Sequence, residues 1–274
     1  MNGVKSERAN EPAVFLTLLV TGLEMNTHDN LAGFFDWRCA QQPDALAYAF
    51  VRDTLETADA LTFTALHRQV HGLAAELVRH SEPGDRVLLV YPPGVEFVRA
   101  FWACMVTGRI AVPVPAPDPV RFKNNAPRLR AIILDAQASL VLTHRELLEP
   151  ARSFRDADGA TGARWIASDD LGKAQPPATE HAAVALGPDS VAYLQYTSGS
   201  TSTPRGVIIT HANVLAQCRT SAEAVGVNGQ RSRLLCWLPH FHDYGLVFGT
   251  LLPFHAGVPS YLMSPLTFLR RPLR

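Results

Sequence analysis

The chain has 274 residues, with 25 Lys and Arg against 25 Asp and Glu, for a formal net charge of +0. That balance excludes a strongly basic binder of nucleic acid or of an acidic membrane. Hydrophobic residues at 47% and charged residues at 18% predict a globular protein with enough core for one large or two small domains. Cys39, Cys104, Cys218 and Cys236 are scattered through apolar segments without a C-x-x-C pair. They predict reduced core thiols in a cytoplasmic protein, not a disulfide frame or a zinc site.

Lys5 and Arg8 precede a short apolar run, 13–20. The run is too short to span a bilayer, and no small-residue cleavage site follows it. Residues 1–28 are expected to be an extension, disordered or ahead of a true start at Met25. From 29 to 41, Leu31, Phe34, Phe35 and Arg38 recur at helical spacing, and Pro43 follows. Residues 45–51 predict a strand and 61–63 its partner. Thr64 is the expected N-cap of a helix with Leu66, Val70, Leu73, Ala74, Leu77 and Val78 in one stripe. A strand at 86–91, a helix burying Val98, Phe101, Trp102 and Met105, and a strand at 110–114 follow, with Gly108 stopping the helix. The Pro-rich run 113–119 is expected to be neither helix nor central strand. Pro127 is the expected start of a helix with Ile132, Ile133 and Ala136 inward. Residues 140–142 predict a strand, 145–154 a helix, 164–167 a strand, and 173–188 a polar surface connection.

Two apolar runs with the look of buried strands, 191–196 and 207–209, clasp a loop of Thr197, Ser198, Gly199, Ser200, Thr201, Ser202, Thr203, Pro204, Arg205 and Gly206. A loop dense in hydroxyls and glycine suits a polyanion. Gly199 and Gly206 let main-chain N–H groups approach phosphate, hydroxyls donate, and Arg205 adds fixed charge. Neither G-x-x-x-x-G-K-[ST] nor G-x-G-x-x-G occurs. Beyond it, Thr210 caps a helix that turns Val214, Leu215, Cys218, Ala222 and Val225 inward and closes at Gly226. A strand at 234–238, a loop at 240–245, a helix at 246–254 and a strand at 258–263 complete the pattern. Strands alternating with helices predict an α/β fold with mainly parallel sheets and helices on both faces.

The stretch YTSGSTSTPRG resembles the signature loop of the adenylate-forming, or AMP-binding, superfamily. Ser202 stands where Gly is usual there, and Arg205 where Lys is usual. Asp85 to Gly94, Ile110 to Pro117, Arg128 to Ile133, Leu238 to Leu246 and Met263 to Arg274 resemble one branch, the fatty acyl-AMP ligases. The resemblance implies that 29–274 are part of the N-terminal domain of such an enzyme, with its C-terminal half and lid domain absent. It implies ATP and Mg²⁺, with residues 197–206 holding the β and γ phosphates and Thr197 as a Mg²⁺ ligand. It implies attack of a fatty carboxylate on the α-phosphate to give acyl-AMP and pyrophosphate. The partners implied are a fatty acid, ATP and an acyl carrier protein or a polyketide or peptide synthase. Since the later adenine, ribose and lysine elements are missing, this fragment is expected to be inactive alone. The alternatives are a non-catalytic truncated remnant or part of a CoA-forming acyl-CoA synthetase.

His240-Phe241-His242-Asp243 offers two His and an Asp as metal ligands, but H-x-H-x-D-H requires a further His. A histidine packed at a strand end is the structural alternative. The resemblance implies instead that His242 lies beside the carboxylate being activated, as the catalytic positioning residue, with Asp243 and Gly245 shaping the substrate-binding turn.

Overall fold

The computed structural model describes residues 28–52, 54, 56–118, 122–151, 162–169, 171, 184–197, 204–227, 229, 231–270 and 272. The extension expected over 1–28 lies outside them, apart from His28, whose ring sits 5.8 Å from that of Trp37. Asn30 caps α1 (Leu31–Gln41) by accepting from the Gly33 N–H, and Leu31, Phe34, Phe35 and Arg38 turn inward. β1 (Leu46–Val51) pairs antiparallel with β2 (Thr57–Thr62), which runs straight into α2 (Phe63–Val78). The cap of α2 is Thr62, not Thr64. Thr62 accepts from the Ala65 N–H, while the Thr64 hydroxyl donates to the Pro43 carbonyl at 2.9 Å. The expected stripe is buried except for Val78, which stands at the frayed end of the helix and is 42% exposed.

β3 (Arg86–Tyr91), α3 (Val95–Val106), β4 (Ile110–Pro115), α4 (Phe122–Ala136), β5 (Leu140–Thr143), α5 (Arg145–Leu148) and β6 (Arg164–Ala167) alternate as expected. α4 begins ahead of Pro127 and carries it inside. Proline's fixed φ suits a helix, so the cost is one backbone bond and local crowding. α5 is a single turn, shorter than expected, and 152–161 lie outside the described residues, as does most of the 173–188 connection.

β7 (Val191–Thr197) and β8 (Arg205–Thr210) are an antiparallel pair with Thr197 opposite Arg205. α6 (His211–Val225) opens on reciprocal bonds between Thr210 and Asn213 and closes on Gly226 at φ 64. Its buried face is His211, Val214, Cys218 and Ser221, whereas Val225, expected inward, is 57% exposed at the last turn. β9 (Leu234–Cys236), α7 (Asp243–Leu246), a π-helical turn (Val247–Leu251), α8 (Leu252–Ala256), β10 (Ser260–Met263) and α9 (Pro265–Arg270) follow. The loop expected over 240–245 therefore ends in helix, and the strand expected over 234–238 stops at Cys236.

The strands make two sheets, ordered β2-β1-β10-β9 and β6-β5-β3-β4-β7-β8. Both are parallel except for the edge pairs β1–β2 and β7–β8. Along β3, Val87, Leu89 and Tyr91 join a core shared with α1, α2 and α3, while Leu88 and Val90 join a second core with α4. A strand covered on both faces has no polar side to show, which is why 86–91 reads as a continuous apolar run. α3 touches β3 and β4 of one sheet and β1 of the other, and is buried on every side. Trp102 of α3 meets Phe254 of α8 with ring centroids 4.3 Å apart.

Two expectations fail for one topological reason: the neighbours of a strand decide its environment. Pro113 and Pro115 lie within β4, a central strand, registered to Leu89 and Tyr91 of β3. On its other side β4 keeps β7 as its neighbour along its length, with a registered pair at Ala111–Tyr193, and beyond it Pro113 and Pro115 have no N–H to offer that ladder. β8 is a sheet edge, and Val207 and Ile208 are 47% and 62% exposed rather than buried.

Candidate active-site cleft

A cleft of about 320 Å³ lies at the carboxyl ends of the neighbouring parallel strands β4 and β7. Pro113 and Pro115 line it from β4, Gln195, Tyr196 and Thr197 from β7, Arg128 and Ile132 from α4, and Phe241, His242 and Asp243 from the turn before α7. The crevice outside the carboxyl ends of the strands is where open α/β sheets bind ligands.

Each wall has a local cause. Gln195 is buried, and its Nε2 donates to the Phe241 carbonyl at 2.6 Å, tying the turn to β7. Its Oε1 is buried with no protein partner among the described residues, leaving an acceptor at the cleft wall. The Tyr196 hydroxyl donates to Asp135 Oδ2 of α4 at 2.5 Å. Burial, reinforced by that carboxylate, pushes the phenol above its ordinary range. Gly206 faces Tyr196 across the β7–β8 ladder, and a Cβ on it would sit 3.1 Å from the Tyr196 ring. Gly206 is therefore accounted for by ring packing. Arg205 begins β8 rather than a turn, directly opposite Thr197 at the mouth of the loop. Ser198, Gly199, Ser200, Thr201, Ser202 and Thr203 lie outside the described residues.

The turn before α7 separates two histidines that the sequence sets two residues apart. His240 stacks on Phe97 with centroids 4.1 Å apart, and burial pushes its pKa down to about 3 against a bond to the Tyr91 backbone. It is a packed neutral ring, as the structural alternative supposes. His242 is 66% exposed at the cleft, and its Nδ1 lies 2.5 Å from Asp243 Oδ1. The same Nδ1 accepts from the Tyr244 N–H at 3.4 Å, so His242 caps the first turn of α7. A metal held by His240, His242 and Asp243 does not fit, because one ring is in the core and the others are at the surface. Gly245 is obligatory here: a Cβ would lie 2.0 Å from the Pro239 carbonyl oxygen. Trp237 stacks on Phe268 at 4.4 Å and Tyr244 on Phe248 at 4.3 Å, so both serve as wall and support.

The cleft thus joins a cation on α4, the Thr197 hydroxyl at the end of β7 and a His–Asp pair, with Arg205 opposite Thr197 on β8. That donor set fits a phosphorylated ligand: Arg128 and Arg205 for the anion, Thr197 and Asp243 for a hard divalent ion. Arg128, Gln195 and Phe241 were not legible as site residues, since each faces the cleft only through the tertiary packing of α4 and the 237–242 turn. The Pro-x-Pro at 113–115 was the one available signal, a pair of missing donors inside a strand pattern.

Two mainly parallel sheets flanked by helices, with a cleft at the ends of β4 and β7, match the N-terminal domain fold of adenylate-forming enzymes. A family model described as "AMP-binding enzyme" matches residues 35–274, and the chain belongs to that family. It is 38% identical over 248 residues to the medium-chain-fatty-acid–[acyl-carrier-protein] ligase JamA of Moorena producens, covering 89% of this chain and 41% of that one. It is 34% identical over 245 residues to the long-chain-fatty-acid–AMP ligase FadD26 of Mycobacterium tuberculosis, covering 86% and 41%. The crystal structure of fatty acyl-adenylate ligase from L. pneumophila, in complex with acyl adenylate and pyrophosphate, superposes with TM-score 0.76 at 28% identity. That alignment covers 90% of this chain and 42% of that one. The chain spans about two-fifths of the length of these relatives. Among the described residues, no helix is long and apolar enough to cross a membrane.

Proposed function

We propose that this chain carries the phosphate- and carboxylate-binding part of a fatty acyl-AMP ligase, which joins a fatty acid to ATP as acyl-AMP and releases pyrophosphate. The supporting observation is the convergence of the β7–β8 mouth and the His242–Asp243 turn on one cleft. The residues 197–206 hold the leaving pyrophosphate, with Arg205 supplying charge where the loop re-enters the sheet. Thr197 would hold Mg²⁺, which would supply charge neutralisation to the phosphates as pyrophosphate leaves the α-phosphorus. His242 and Asp243 line the cleft, where an imidazole N–H of His242 donates to the fatty carboxylate and orients it, and Gly245 lets the turn close beneath it. Catalysis here is positioning and charge neutralisation rather than covalent chemistry. The acceptor is the phosphopantetheine thiol of an acyl carrier protein, by analogy with the activity in JamA's name. The four free, buried cysteines support a reducing, cytoplasmic setting.

Calorimetry of ATP–Mg²⁺ binding to the chain tests the loop. Arg205→Ala should weaken binding by about 10- to 150-fold, the loss of one charge-assisted contact of about 1.5–3 kcal/mol. Binding that Arg205→Ala leaves unchanged would overturn the assignment.

A further inference from the structure

We propose that Asp36, His67 and His71 form a binding site for a zinc-class divalent cation that ties α1 to α2, apart from the nucleotide cleft. His67 and His71 are one helical turn apart on α2, so their rings share a face. Asp36 comes from α1, and its Oδ1 lies 3.3 Å from His67 Nε2 and 2.8 Å from His71 Nε2. One donor atom from each of the three residues falls within 4.8 Å of the others. Zinc bonds of about 2.0–2.1 Å set tetrahedral ligand atoms about 3.3 Å apart, so small side-chain rotations suffice.

The rings are aimed before any ion arrives. Phe35, fully buried on α1, stacks beneath His67 at 6.0 Å and 8°, and tilts against His71 at 6.2 Å. The His67 and His71 centroids are 4.3 Å apart. Side chains of Asp36, His67 and His71 are 51%, 44% and 19% exposed, so an ion enters from solvent and keeps water at its remaining position. Two imidazoles and one carboxylate select Zn²⁺, Co²⁺ or Ni²⁺ over Mg²⁺, which prefers oxygen ligands. None of the three residues lines the cleft. The assignment therefore stands or falls independently of the ATP reading.

The test is a Co²⁺ titration of the metal-free 274-residue chain, followed by visible absorption and by thermal midpoint. One equivalent should bind, with ligand-field bands and a raised midpoint. His71→Ala and the near-isosteric Asp36→Asn should each weaken that binding by about a hundredfold. His242→Ala, which removes the exposed histidine of the cleft, should leave it intact. Binding that survives both Asp36→Asn and His71→Ala, or that His242→Ala abolishes, overturns the proposal. So does the absence of bands and of any Co²⁺- or Zn²⁺-dependent midpoint shift, which would leave a hydrogen-bonded trio only. Should His71→Ala fail to fold, Asp36→Asn alone decides, because it keeps shape and hydrogen bonding.

Discussion

The two flanks of β4 behave as different structures. Toward β3 every residue from Ile110 to Pro115 has a partner, and α3 seals that region from one face and α4 from the other. Toward β7 the registered pair is Ala111–Tyr193, and the cleft lies over the carboxyl ends of the two strands. A parallel sheet with helices on both faces is stable wherever its ladders close. On the β7 flank Pro113 and Pro115 contribute no N–H, so the thinner ladder leaves no donor of theirs unpaired at the cleft wall.

Trp102→Ala is the hardest blow to the β3 flank. Trp102 is 1% exposed between Phe35, Phe101 and Phe254, and its loss should cost about 3–5 kcal/mol by chemical denaturation. A cost below about 1 kcal/mol would mean that the aromatic layer is not the clamp. On the β7 flank, Gly245→Ala must move the Pro239 carbonyl. It should destabilise by about 1–3 kcal/mol and also weaken ATP–Mg²⁺ binding, whereas destabilisation without a ligand effect would uncouple the turn from the cleft.

Acid should loosen the junction of α1 and α6. Burial pushes the His211 pKa down to about 4, and its Nδ1 accepts from the Leu31 N–H at 3.1 Å. The unfolded chain protonates this group near its ordinary 6.5. Stability from the neutral ring is therefore complete above that value and is lost as pH falls toward 4. The denaturation midpoint should drop over that interval, and His211→Gln should flatten the drop. The smallest effect is expected from Tyr196→Phe, which removes one hydrogen bond to Asp135 at about 0.5–1.5 kcal/mol. A larger loss would show that this bond holds the cleft wall in place.

Much of the fold was legible in order. The 86–91 strand has the bounds expected, the helices of α1, α2 and α3 carry the expected inner residues, and Thr210 and Gly226 bound α6 as their cap chemistry implies. The errors cluster where only a neighbour could decide. Pro113 is central yet tolerated, Val207 and Ile208 are apolar yet on an edge, and Thr62 rather than Thr64 is the cap because the helix already begins at Phe63, which places Thr64 inside its first turn.

Sequence alone determined the alternation of strand and helix and the placing of the hydroxyl-rich loop between two strands, because periodicity and turn chemistry are local properties of the chain, and its motifs carried the resemblance to the family. Only the tertiary structure decided that His240 is core and His242 is cleft. It also brought Arg128 to face the β7 mouth and Asp36 of α1 to meet the His67-x-x-x-His71 face of α2. Residues far apart in the chain become one site through packing of their elements. Nothing in a 3.6- or 2-residue period records which surface will cover an apolar stripe.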